Sequence, residues 1–200
     1  MYFNICPTLL QEFKDDINDL FDNPKMFEGV MSSGTFYIAV YGRKISDYLK
    51  QFLPSYKSRD IFVPLEVINA EPKILREYLR AFYDDEGCAS LRLNCKTKEW
   101  KRSITLASNS YKILMQIKEL LSKQNITTNK IIRNKISDYD NTFVLSITGK
   151  ENYVLFQEKI GFKHPRKMKM LELIILSYYS TSRNRVNFNK LIKEKNELFI

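Results

Sequence analysis

The chain of 200 residues has a single histidine, His164, and only three cysteines. A structural zinc site needs four suitably spaced ligands, and Ser-His-Asp or Cys-His catalysis needs a histidine beside the nucleophile. The scarcity of both residue types argues against such sites. The cysteines, Cys6, Cys88 and Cys95, are odd in number and irregularly spaced, so we expect reduced thiols in the core rather than disulfides.

Long hydrophobic runs are also missing. No stretch approaches the ~18 apolar residues that a transmembrane helix requires, and the N-terminal MYFNICPTLLQEF lacks the basic-then-apolar layout of a secretion signal. We therefore expect an intracellular, cytoplasmic protein with no membrane association. The 44% of apolar residues is enough for a buried core.

Acidic residues are too few to balance the basic ones. The 32 lysines and arginines outnumber 23 acids, which gives a net charge of +9 and a pI near 9.3. This balance predicts a polyanionic partner more than an acidic small molecule. A basic protein with no nucleic-acid role remains the alternative.

A divergent repeat organises the chain. The segments TFYIAVYGRK and TFVLSITGKE place Gly42 and Gly149 in matching positions, 107 residues apart. Each lies in the same predicted order of strand, helix, two strands and helix, so two copies of one unit are the economical explanation. We predict an incomplete first half-repeat with a linker at 1–65, a complete second half-repeat at 66–165, and a C-terminal helical extension at 166–200.

The best-defined predicted element is a helix that starts near Pro72. Asn69 is suited to cap it, and Gly87 stands where a left-handed residue usually ends a helix. Its apolar residues recur at helical spacing and form one stripe. The stripe consists of Ile74, Leu75, Tyr78, Leu79 and Phe82.

Three consecutive acids, Asp84, Asp85 and Glu86, end this helix. The unpaired carbonyls there carry about half a negative charge, so each carboxylate is unfavourable by roughly 0.3 to 1 kcal/mol. Solvent is one source of compensation. A divalent cation with oxygen ligands is the other, and it would turn the repulsion into a binding site.

Beyond Gly87 the pattern alternates with a period of two, which predicts a strand. Ala89, Leu91, Leu93 and Cys95 would face the core, while the intervening residues and those of the returning strand are polar or basic. A half-open antiparallel sheet of this kind can lie in a DNA groove. An ordinary amphipathic sheet with a solvated face is the alternative.

The segment LRAFYDDEG, residues 79–87, resembles the LAGLIDADG signature. The flanking segments VPLEVINAEPKILREYL, LASNSYKILMQIKELLSKQNI and EKIGFKHPRKMKML resemble homing endonucleases that are free-standing or lie inside inteins. The resemblance implies an α+β fold of αββαββα halves, whose antiparallel sheets bind double-stranded DNA. It also implies a site-specific endonuclease that hydrolyses phosphodiester bonds with Mg²⁺. A catalytically inactive DNA-binding protein or regulator, and an RNA-binding splicing helper, remain alternatives.

The resemblance also implies roles for particular residues. Glu86 would bind the metal and act in catalysis, the main-chain carbonyl of Asp85 would be a second ligand, and Asp84 would be a structural cap. Lys150 matches the basic residue that lies near the scissile phosphate, with Lys44 or Arg43 as its counterpart in the first copy. The expected DNA-binding residues are Ser90, Arg92, Asn94, Lys96, Lys98, Lys101, Ser103, Arg133 and Lys135.

The first copy lacks a signature helix and the strand pair that follows it. A fragment of a longer polypeptide, a decayed copy, and a protein that borrows the helix from a partner are three open explanations. We expect a monomer with an incomplete site in preference to a homodimer. The C-terminal KEKNELFI also lacks the His-Asn ending that a splicing intein would show.

Overall fold

The computed structural model describes residues 1–94, 96–97, 99–135, 141–179 and 185–198, without the side chains of residues 135, 141 and 185–188. The chain forms two compact units, Met1–Tyr56 and Lys57–Ile200. This division precedes the boundary at 65 that the sequence predicts. The second unit also contains the C-terminal helices, which we had placed in a separate extension.

The first unit is a small antiparallel sheet with two helices. Its strands follow the spatial order β1-β3-β2. Its elements are β1 (Tyr2–Asn4), α1 (Pro7–Phe21), β2 (Met26–Val30), β3 (Phe36–Val40) and α2 (Arg43–Lys50).

The second unit is built around a four-stranded antiparallel sheet of order β4-β5-β7-β6. Before the first strand lie α3 (Leu65–Ile68) and α4 (Pro72–Glu86). The sheet and its crossing helix comprise β4 (Gly87–Leu93), β5 (Trp100–Ser108), α5 (Tyr111–Lys123), β6 (Ile132–Lys135) and β7 (Asn141–Ile147). The chain continues through α6 (Lys150–Lys159), α7 (Pro165–Leu176) and α8 (Arg185–Glu197).

The two sheets share a strand order. The order β1-β3-β2 in the first unit corresponds to β5-β7-β6 in the second, and a helix joins the first two strands of each set in the chain. Gly42 and Gly149 both immediately precede a helix. Residues 1–56 contain no counterpart of α4 or β4 before these strands, and none of α7 or α8 after them.

The core of the second unit lies between one face of its sheet and a layer of helices. Ile104, Leu106, Leu145 and Ile147 are fully buried on the sheet side. The helices contribute fully buried residues as well, among them Leu114, Ile117, Leu121, Phe156, Leu173 and Ile174. The predicted extended linker joins this core, since Val63 is fully buried and its N–H donates to Gln116 Oε1 at 3.0 Å.

Helix α4 buries part of its apolar stripe within its own unit, while Ile74 is 56% exposed. Leu75, Leu79 and Tyr83 are buried one turn apart and belong to the main core cluster, and Phe82 packs against it. The predicted Asn69 cap is wrong, because Asn69 ends α3 while Glu71 precedes α4 without a capping side chain.

The cysteines divide between two environments. Cys6 is buried as expected, whereas Cys88 is exposed. Cys88 lies on the polar face of β4, opposite the face that carries the buried Leu91. Neither thiol is in a disulfide, and Cys95 lies outside the described residues. In the described part of the chain, no helix is long and apolar enough to cross a membrane.

Candidate functional site

Asp84 joins the end of α4 to the start of α7. Its side chain is 3% exposed, and its two carboxylate oxygens accept the backbone N–H groups of Lys163 at 2.9 Å and His164 at 3.0 Å. These residues immediately precede α7, so the carboxylate occupies a capping position where negative charge is favourable. Asp84 thus has the geometry of a structural cap. Asp85 and Glu86, in contrast, are exposed.

Lys167 completes the junction from the other side. Its ammonium donates to the carbonyl oxygens of Tyr83 at 3.2 Å and Asp84 at 2.5 Å. These are among the last carbonyls of α4, which lack partners within the helix apart from the bond between Tyr83 and Gly87 N–H. Sequence reasoning did not find Lys167. The available signal was the surplus of acids at a helix end, which predicts a compensating cation but not that it lies 83 positions after Asp84.

Among the described residues, the acids at the end of α4 outnumber the one lysine, Lys167, that contacts this helix end. Desolvation of the Glu86 carboxyl, followed by repulsion from Asp85, raises the pKa of Glu86, while attraction by Lys167 acts in the opposite direction. Desolvation also lowers the pKa of Lys167, and the neighbouring acids oppose that shift. The lysine therefore compensates only part of the negative charge at this helix end.

Gly87 is required here for a reason that differs from our prediction. Its φ of −89° and ψ of 159° are extended, not left-handed. A Cβ at this position would lie 2.4 Å from the carbonyl oxygen of Tyr83. The close approach of backbone to backbone selects glycine and lets α4 pass directly into β4.

Strands β4 and β5 present the predicted polar face. Their register pairs Ser90 with Ser103 and Arg92 with Lys101 on the side opposite the buried Leu91. Arg92 and Lys101 are both exposed, and like charges directly across a strand pair are destabilising. A polyanion bound to this face would remove that repulsion.

The turn between these strands uses some of the predicted DNA-binding residues differently. The Asn94 side-chain oxygen accepts the backbone N–H groups of Lys96 at 3.0 Å and Thr97 at 3.4 Å, so Asn94 shapes the turn. Lys96 is exposed at its tip. Lys98 lies outside the described residues.

The register of β6 does not bring Arg133 to the polar face. Arg133 pairs with Phe143, which packs against the core, so its side chain starts on the helix side of the sheet even though it is exposed. The neighbouring Ile132 and Asn134 lie on the polar face instead. Lys135 pairs with Asn141 in the register, and its side chain is outside the described set.

Lys150 contacts the residue Tyr179, beyond the C-terminal end of α7. Its ammonium lies 4.3 Å from the ring centroid of Tyr179, which follows the C-terminus of α7. Lys167, near the N-terminus of that helix, is separated from Leu176 by about 14 Å at 1.5 Å per residue. In the first unit, Lys44 is exposed and Arg43 pairs with Asp47 at 3.7 Å.

The oxygen donors at the end of α4 suit a magnesium ion better than a metal ion that is held by protein side chains alone. Among the described residues, no group of three or more His, Cys, Asp or Glu side chains could hold a metal ion. Magnesium, however, usually keeps several waters and takes one or two carboxylates together with substrate phosphates. Asp85 and Glu86 are exposed, and a Glu86 carboxylate with an Asp85 main-chain carbonyl would supply oxygen donors of the type that magnesium takes.

Residues 73–161 match the family model of the LAGLIDADG-like domain. Two curated proteins of Methanocaldococcus jannaschii are similar over 171 residues. Replication factor C small subunit is 25% identical across 84% of this chain, and glutamine–fructose-6-phosphate aminotransferase is 27% identical across 82%. The chain spans only 8% and 15% of the length of these two proteins.

Solved structures share the fold at low identity. The archaeal intron-encoded homing endonuclease I-Vdi141I, complexed with DNA, has a TM-score of 0.53 at 17% identity, with 64% of this chain and 84% of that chain covered. I-DmoI in complex with DNA and calcium has a TM-score of 0.55 at 15% identity, covering 85% and 80%. The LAGLIDADG homing endonuclease I-GzeII, in complex with its DNA target, has a TM-score of 0.55 at 12% identity, covering 95% and 83%. Residues 73–161 therefore resemble the LAGLIDADG-like domain, and the chain shares the fold of the LAGLIDADG homing endonucleases.

Proposed function

We propose that this chain binds double-stranded DNA on the polar face of β4 and β5 and hydrolyses a phosphodiester bond with Mg²⁺ at the end of α4. The observation that carries this proposal is that the acid end of α4 leads directly into the basic strand β4. The exposed acid Glu86 is followed directly by Gly87, the first residue of the strand that bears Arg92. An oxygen-ligand site for a cation and a basic surface for a polyanion are therefore adjacent.

In this proposal the residues have separate tasks. The Glu86 carboxylate and the Asp85 main-chain carbonyl would hold the ion, which when bound activates water and stabilises charge on the phosphodiester. Arg92 and Lys101 would bind backbone phosphates and orient the duplex. Lys150, far from the acid end along α7, is better suited to a phosphate contact than to the scissile bond.

A binding protein without cleavage is the second candidate. The observation that favours it is the single acid end of this type in the described chain, because residues 1–56 have no counterpart of α4. A LAGLIDADG protein with one such end would bind DNA through its sheet yet lack a second site for the other strand. The predicted monomer fits this candidate as well as a nicking enzyme, and the burial of Leu75 and Leu79 removes one reason for α4 to pair with another copy.

The curated relatives support a mobile origin. A replication factor and an aminotransferase share no activity in their names, yet each contains a segment similar to most of this chain. A segment that inserts into unrelated host proteins explains this pattern, as inteins do. We therefore propose that the chain derives from, or acts as, an endonuclease of the intein type.

The test begins with binding, because the target sequence is unknown. A library of duplexes with about 22 randomised base pairs, of the size a two-turn interface covers, would be selected on the chain in Ca²⁺. When Mg²⁺ then replaces Ca²⁺, the chain should cut the selected duplexes. Selection without cleavage would support the binding protein, and failure to select any duplex would remove DNA as the partner.

A further inference from the structure

Lys167 is a positive charge in an unfavourable position of its own helix, α7. It is the third residue of α7, and positive charge in the first turn opposes the helix dipole. The explanation lies in α4, whose terminal carbonyls at Tyr83 and Asp84 accept the ammonium of Lys167. Lys167, at the positive N-terminal end of α7, therefore donates to the negative C-terminal end of α4.

The position of this ammonium is held at two points. The Asp84 carboxylate binds the backbone just before α7, and Lys167 binds the backbone of α4 in return. Lys167 also lines a cavity of about 200 Å³ with Gly87 and Cys88, at the start of the polar strand. The ammonium therefore lies at the acid end of α4, where two carbonyl oxygens accept it.

The charges around it are those that a divalent ion would meet. Asp84 is satisfied by backbone N–H groups, whereas Asp85 and Glu86 are exposed at the same helix end. Lys167 supplies one positive charge to this group in the absence of metal. An added cation would meet both the attraction of the acids and the repulsion of the lysine.

We propose that Lys167 is a tethered cation that stabilises the metal-free helix end and weakens the binding of a divalent ion at Glu86 and Asp85. This rests on the proposed metal site. Lys167 acts through the site's charge and is a positioning residue, not a catalytic one. It limits occupancy of the site to conditions in which DNA phosphate adds further negative charge.

The consequence can be measured on the metal alone. At separations of several ångströms in a partly aqueous site, removing one positive charge should tighten Mg²⁺ binding by about tenfold. A lysine that only braces the fold gives the opposite result, because a looser helix end would bind the ion more weakly. The direction of the change therefore separates the two roles.

Calorimetric titration with Mg²⁺ would compare the full chain with Lys167→Met, Lys167→Gln and Lys167→Arg. Lys167→Gln keeps an N–H donor without the charge and serves if the methionine variant unfolds, while Lys167→Arg keeps the charge. Lys169→Met is the matched control, since Lys169 lies on the same helix and pairs with Glu172 at 3.1 Å.

We expect tighter Mg²⁺ binding in the Met and Gln variants, parent-like binding in the Arg and Lys169→Met variants, and half-maximal cleavage at lower Mg²⁺ for the neutral variants. Unchanged or weaker Mg²⁺ binding in a folded neutral variant would overturn the proposal. Mg²⁺ binding and cleavage by the parent chain distinguish failure of this proposal from failure of the proposed function. A parent that binds Mg²⁺ without cutting selected DNA loses the function alone, and a parent that does not bind Mg²⁺ loses the metal site and this inference together.

Discussion

Asp84 and Lys167 cap each other's helices across 83 positions of the chain: the Asp84 carboxylate accepts backbone N–H groups before α7, and the Lys167 ammonium donates to the Asp84 carbonyl. This exchange satisfies polar groups at two helix ends with charge-assisted bonds. It also fixes the last turn of α4, and with it the two exposed acids that follow.

The first prediction concerns this junction. Asp84→Asn leaves one oxygen where two accept N–H groups, so the free energy of unfolding should fall by about 1 to 3 kcal/mol. Urea denaturation followed by the fluorescence of Trp100, the sole tryptophan and 8% exposed, would measure it. Asp85→Asn is the control, since Asp85 is exposed, and a change there should stay within about 0.5 kcal/mol. Equal effects of the two substitutions would contradict the capping role of Asp84.

The second prediction concerns the passage from α4 to β4. A Cβ at Gly87 would lie 2.4 Å from the Tyr83 carbonyl oxygen, so Gly87→Ala must shift the backbone and should cost about 1 to 3 kcal/mol of stability. Gly42→Ala is the control. There a Cβ meets only the Ile45 side chain at 3.6 Å, and φ is 163°, which is extended. A Gly87→Ala chain as stable as the parent would show that the close approach does not select glycine.

The elements of this chain were accessible from sequence to different degrees. Period-two alternation correctly separated Leu91 from Arg92, because a strand with one buried face specifies its register. The same reasoning had no basis at β6, where Ile131 and Ile132 are adjacent and either parity places an isoleucine inward. The structure puts Arg133 on the helix side.

The candidate site was predictable only where it is local. Glu86 follows from its place in a short motif, and its exposure agrees with a role in binding. The lysine at the site was assigned to Lys150, whereas Lys167 contacts the acid helix. Pairing of helix ends depends on tertiary packing, which sequence spacing does not encode. Gly87 was placed correctly for the wrong reason, since a close contact and a left-handed turn select the same residue.

The third prediction concerns the DNA-binding surface. Affinity for a selected duplex should fall linearly with the logarithm of salt concentration, with a slope of about 0.9 per neutralised phosphate. Arg92→Ala and Lys101→Ala should each reduce that slope by about one contact. Arg133→Ala is the discriminating control, because its strand register turns it away from this face and should leave the slope unchanged. A larger effect at Arg133 than at Arg92 would place the DNA elsewhere.

The fourth prediction concerns pH. The pKa of Glu86 is raised in the folded chain, so the folded state binds this proton more tightly than the unfolded state. Ionised Glu86 therefore costs stability above its folded pKa, and the cost is absent below the unfolded pKa. Glu86→Gln should raise the free energy of unfolding at pH 7 by up to about 1 kcal/mol.

This gain should vanish below about pH 4, where the parent carboxyl is protonated in both states. Denaturation at the two pH values measures the change, and the exposed Glu119 on α5 provides the control Glu119→Gln. A gain that is equal at both pH values would separate the stability effect from ionisation of Glu86.

The most direct test of the central claim is the cleavage rate of a selected duplex on adding Mg²⁺ to complexes formed in Ca²⁺, with the parent chain and with Glu86→Gln. The parent should cut at least one strand. Glu86→Gln should bind the duplex with similar affinity and lose cleavage by a factor of at least about 100, since it lacks the charge that holds the ion. Cleavage by Glu86→Gln at the parental rate would contradict the assignment of this acid, and absence of cleavage by the parent would leave a DNA-binding protein without the proposed reaction.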